Sequence, residues 1–137
     1  MIPDKMVWGA IVGFLSCQVL GALWYAPFLF GGPWMKATFP GKSPQQIAQN
    51  GFAIAYTFTL VSSATLALLL QFILITFLKV TSVLVAVKTG LGLGALMTLA
   101  NISHLCFARR SLLAFVIDHV YDALCFAITS AAIVYFQ

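Results

Sequence analysis

Two carboxylates and an imidazole, Asp118, Asp122 and His119, interrupt an apolar run over residues 111–136. An ionisable side chain in such a run is expensive to keep and is a functional hypothesis by default. If the run is helical, Asp118 and Asp122 are four residues apart and share a face. Two carboxylates that close in a low-dielectric setting do not both ionise readily, so the pair invites a retained or shared proton. His119 falls about 100° around the helix from Asp118 and meets a different neighbour. Gln18, Asn101 and His104 are further polar groups inside apolar runs. Helices rise 1.5 Å per residue, so antiparallel stacking sets Asn101 level with Asp118, while Gln18 and Asp122 both lie roughly 18 Å from the same end. Tyr25 and Tyr121 add hydroxyls. The geometry allows one intramembrane cluster of Gln18, Asn101, His104, Asp118, His119 and Asp122. It reads either as a hydrogen-bonded lock within a bundle or as the proton or ligand site of a small transporter.

Other chemistries lack their residues. His104 and His119 have neither the spacing nor the ligand number of a metal or haem site, so no metal and no cofactor is expected. No nucleophile elbow and no paired zinc-binding histidines occur, so no catalytic residue is expected and the chain does not read as an enzyme. Gly90-Leu-Gly-Leu-Gly94 follows no strand and carries no Gly-Lys-Ser/Thr, so it is not a phosphate loop. Cys17, Cys106 and Cys125 all lie in apolar runs and read as small apolar residues. The net charge is +4, but the 7 Lys and Arg lie mostly in short segments between apolar runs. They make no face that tracks phosphates, so no nucleic-acid partner is expected.

The elements that position these residues are membrane spans. Hydrophobic residues make up 62% of the 137 and charged residues 7%, where a soluble domain carries about a quarter charged. Four apolar segments are each long enough to cross a bilayer, at about 6–30, 51–78, 84–107 and 111–136. Unbroken runs of this length, without strand alternation, are helical. The first run is longer than a signal-peptide core and is expected to be a retained span. The fold class expected is all-α: an integral-membrane, antiparallel four-helix transmembrane bundle, with residues 1–137 as one domain.

Connections are short except Gly31–Asn50, which is punctuated by Pro33, Pro40 and Pro44. Pro27 is expected to end or kink the first helix. Each span has small residues at four-residue spacing: Gly9, Gly13, Cys17 and Gly21; Gly51, Ala55, Thr59, Ser63 and Ala67; Ala86, Gly90, Gly94 and Thr98; and Ala123, Ala127 and Ala131. Such stripes let helices approach closely where lipid removes the hydrophobic drive. Lys36, Lys42, Arg109 and Arg110 against Lys5 and Lys79 place the first and third connections on the cytoplasmic side. Trp8 near one boundary, and Trp24, Tyr25 and Trp34 near the other, suit interfacial aromatic belts.

The stretch Gly21-Ala-Leu-Trp-Tyr-Ala-Pro-Phe-Leu-Phe-Gly31, followed by Trp34-Met-Lys36, resembles the signature of a family of small four-span membrane proteins. That family is known only as a domain of unknown function, number seventeen sixty-one. Trp24, Tyr25, Pro27, Gly31 and Trp34 carry the motif. The final hairpin, Phe107 to Arg110, then Phe115-Val-Ile-Asp118 and Tyr121-Asp122, is similar to the family's Phe, basic turn and Ile-Asn-x-x-Tyr-His. Asp118 stands where the resemblance implies Asn, and Asp122 where it implies His. It implies an architecture but no reaction or substrate.

The function expected is a structural, accessory or assembly subunit, packing in the lipid bilayer through the small-residue faces as a homo-oligomer or within a larger membrane complex. The alternative is a small proton-coupled transporter or ligand-binding membrane protein using Asp118 and Asp122. The host membrane expected is the bacterial inner membrane, with an organellar membrane as the other option.

Overall fold

In the computed structural model, which describes residues 4–49 and 51–137, four helices are long and apolar enough to cross a membrane: Val7–Trp24, Phe52–Phe77, Val83–Phe107 and Leu112–Tyr135. The element order is α1 (Asp4–Trp24), α2 (Gly31–Thr38), α3 (Pro44–Ala48), α4 (Phe52–Phe72), α5 (Val83–Phe107) and α6 (Leu112–Tyr135). A π-helical turn, Ile73–Phe77, extends α4. The outer surface suits lipid: Phe107 is 91% exposed and Phe28 78%, which burial in acyl chains tolerates and water does not.

The last helix is the centre of the bundle. α6 contributes seven buried residues, against three each from α4 and α5. The glycine stripes of α1 and α5 explain how two helices reach it. A Cβ on Gly9 would lie 2.6 Å from the Ile133 Cα, and one on Gly13 2.8 Å from the Thr129 Cα. On the other flank, a Cβ on Gly94 would lie 2.6 Å from the Ala123 Cα, and one on Gly90 2.8 Å from the Ala127 Cα. Both pairings run antiparallel, since the numbers rise on one helix as they fall on the other.

The α4 stripe behaves differently. Only Ala67 is buried; Ser63 is half-buried, and Gly51, Ala55 and Thr59 are exposed. α4 leans on α1 and meets α6 near its own end, where Leu70 and Leu74 join Val80, Ala86, Ile133 and Val134 in the core. Among the described residues, α4 and α5 do not pack along each other although one short turn joins them.

The Gly31–Asn50 connection is more ordered than its prolines imply, with Asn50 itself outside the described residues. Pro33 sits in the first turn of α2, and Pro44 opens α3, where a missing N–H does no harm. Ser43 caps α3: the Gln46 amide donates to its hydroxyl at 3.3 Å, and the Ser43 amide donates to Gln46 Oε1 at 2.8 Å.

Both tight turns carry a cation with positive φ. Lys79 and Arg109 each have φ +49°, a left-handed conformation that favours glycine. After α5, the Arg109 amide donates to the Cys106 carbonyl at 3.3 Å and the Arg110 amide to the Leu105 carbonyl at 3.1 Å. This is the paired bonding of a Schellman termination.

Candidate functional site

The end of the first span is built to grip α6. α1 stops at Trp24, three residues before Pro27, so the proline follows a helix end and makes no kink. The chain then doubles back: the Phe30 amide donates to the Trp24 carbonyl and the Gly31 amide to the Ala26 carbonyl, each at 3.1 Å. Gly31 is buried where a Cβ would strike the Tyr25 carbonyl, so this turn closes only on glycine. Two consecutive side chains reach consecutive residues of α6. The Trp24 indole donates to the Ile117 carbonyl at 3.1 Å, and the Tyr25 hydroxyl donates to Asp118 Oδ1 at 2.7 Å. Tyr25 also meets Trp34 and Tyr121 edge-on, at 5.3 and 5.5 Å between ring centres. Trp24, Tyr25 and Trp34 are half-buried in this clamp. Sequence placed them in an interfacial belt; hydrogen bonds to α6 turn Trp24 and Tyr25 toward the bundle, and Trp34 follows by packing on Tyr25.

The model of a family described as proteins of unknown function, DUF1761, matches residues 8–134. The chain belongs to the DUF1761 family. No curated protein and no solved structure matches it. The DUF1761 match takes in the whole Trp24–Trp34 clamp and the α6 residues it holds.

The polar residues of this DUF1761 chain fall into separate places. Asp118 is held by Tyr25. His119 Nδ1 lies 2.9 Å from the Phe115 carbonyl, and its ring stacks on Phe115 at 3.9 Å. A carbonyl only accepts, so Nδ1 carries the proton. Asn101 donates to the Met97 carbonyl of its own helix at 2.9 Å. His104 is exposed on α5. Asp118 and Asp122 share the α6 face but line different pockets. Among the described residues, no group of three or more His, Cys, Asp or Glu is placed to hold a metal ion.

Gln18 and Asp122 do come together. Both line a cleft of about 350 Å³ in the gap that α4 leaves beside α5, with Met97 of α5 on one wall. Phe14, Leu66, Leu70 and Phe126 make it largely apolar. Gln18 Nε2 donates to the Ser63 hydroxyl at 3.2 Å. The hydroxyls of Thr59, Ser62 and Ser63 donate to the Ala55, Thr59 and Leu60 carbonyls of their own helix at 2.9, 3.1 and 3.1 Å. Their protons are thereby used, and what faces the cleft from α4 is oxygen lone pairs. Asp122 is half-buried and forms no hydrogen bond within the described residues.

Below Asp122 the wall continues through Cys17, Cys125 and Thr129. Cys17 Sγ donates to the Cys125 carbonyl at 3.6 Å and lies 3.4 Å from Thr129 Oγ1. The Tyr121 hydroxyl donates to the Cys17 carbonyl at 3.0 Å. Sequence reasoning reads Thr59 and Ser63 only as packing residues and passes over Ser62; all three line the cleft. Their signal was present: three hydroxyl residues within five positions of an apolar span.

Proposed function

We propose that the protein is a membrane-embedded binder and carrier of a small amphipathic amine, with Asp122 as its anchor. The observation that carries this reading is an Asp122 carboxylate with no partner in the described chain, opening on a cleft whose other polar atoms are mostly acceptors. A carboxylate in an apolar setting is destabilising until a donor reaches it. An ammonium head brings three donors, and an apolar body matches the walls.

Size favours a small molecule over a partner helix. About 350 Å³ falls within the range of small-ligand sites. A helix roughly 10 Å across fills that volume in less than one turn. Asp118 plays the positioning part: Tyr25 holds it, and with it the α6 register that aims Asp122 into the cleft. In this reading the site binds without making or breaking bonds.

Titration of the detergent-purified protein with 1-adamantylamine tests the proposal through the melting temperature. A rise in the parent that disappears in Asp122→Asn is expected. Equal responses in the two proteins sink it.

A second reading has its own support. Gly51, Ala55 and Thr59 form the exposed half of a small-residue stripe whose other half packs inside the bundle. An accessory role would place a second copy or a partner span on that half. Blue-native electrophoresis of Ala55→Leu checks it: a multimer in the parent and a monomer in the variant are expected, and a monomeric parent excludes a homo-oligomer.

A further inference from the structure

A second pocket, of about 560 Å³, lies where the turn between α5 and α6 meets the end of α2. Its lining includes Thr38, Arg109, Arg110, Ser111, Asp118 and His119. We propose that this pocket binds the phosphate of an anionic phospholipid headgroup. The inference is independent of the amine cleft.

Depth comes first. The spans on either side end at Phe107 and begin at Leu112, so the pocket sits where acyl chains give way to headgroups. Charge comes second. Two adjacent guanidiniums present planar donor forks that suit phosphate oxygens. α6 starts in the same wall, Ser111 being its N-cap, and adds the positive end of a 24-residue helix. With Nδ1 of His119 donating to Phe115, only Nε2 remains for a ligand.

The turn itself bears on the choice of variant. Arg109 holds φ +49° in a turn where glycine is the unstrained choice. Asp118 also lines the pocket and repels phosphate. Its carboxylate is tied inward by Tyr25, so it marks the inner limit and leaves the phosphate at the arginines.

Native mass spectrometry of the detergent-purified protein with added phosphatidylglycerol tests this. Arg109→Gly is the informative variant because glycine suits the turn and the fold is retained. Lys79→Gly is its matched control: the same φ, the same lost charge, at the turn before α5. Each arginine removed, by Arg109→Gly or Arg110→Gln, is expected to weaken lipid retention about fivefold. Lys79→Gly is expected to change nothing. Equal loss in Lys79→Gly, or none in the arginine variants, overturns the proposal. Displacement of the lipid by millimolar inorganic phosphate also overturns it and reassigns the pocket to a soluble anion.

Discussion

The Tyr25 hydroxyl donates a 2.7 Å hydrogen bond to Asp118 Oδ1, fastening the end of the first span to the last helix. Trp24 makes the neighbouring bond to Ile117, so one dipeptide sets both height and rotation of α6 against α1. Tyr25→Phe should therefore lower stability by about 1.5–3 kcal/mol, the range for a hydrogen bond to a charged group. Thermal unfolding in detergent reads it. A loss below about 0.5 kcal/mol would mean that the clamp holds without the hydroxyl.

The two carboxylates should respond in opposite directions. Asp118→Asn weakens the acceptor of a made bond and should cost about 1 kcal/mol. Asp122→Asn removes an unpaired carboxylate from a largely apolar cleft and should stabilise by up to about 1 kcal/mol. Parallel melting curves of the two variants decide; equal destabilisation would show that Asp122 is already satisfied.

Glycines of α5 separate by face. At Gly94 an added Cβ meets the Ala123 Cα at 2.6 Å, while at Gly92 nothing lies within 4 Å. Gly94→Ala should destabilise by about 1–3 kcal/mol through overpacking. Gly92→Ala should stabilise by about 0.5–1 kcal/mol through helix propensity. Similar effects at both positions would contradict the α5–α6 packing.

Lys79→Gly should relieve a left-handed lysine and gain about 1 kcal/mol. The gain should persist at high salt, because it is conformational and not electrostatic. A gain that vanishes with salt would point to charge repulsion at that end of the bundle.

The spans were legible in the sequence because length and apolar content settle whether a helix can cross a bilayer; three observed helices lie close to their expected runs, and the first stops at Trp24, six residues short of the expected Phe30. Depth was legible too: a constant rise places Gln18 level with Asp122, and both line one cleft. Azimuth was not. Asn101 satisfies itself on Met97, because an amide on a helix reaches the preceding turn without any neighbour. The partner of Gln18 is Ser63 on α4, and the lean of α4 follows from packing that its evenly apolar sequence does not encode. The Trp24, Tyr25 and Trp34 motif was visible as a motif, but the inward direction of Trp24 and Tyr25 depends on α6 acceptors almost a hundred residues away. The helices α2 and α3 were hidden because prolines that start helices look, in sequence, like prolines that break them.

The helix that α1, α4 and α5 all need is the last of the four to leave the ribosome. Until residues 112–135 are inserted, the glycine faces of α1 and α5 have no surface to close on, and Trp24 and Tyr25 have no acceptor. Before that, α1 and α4 can meet through Gln18 and Ser63, but α5 has almost nothing to pack on, and the bundle closes only when α6 arrives.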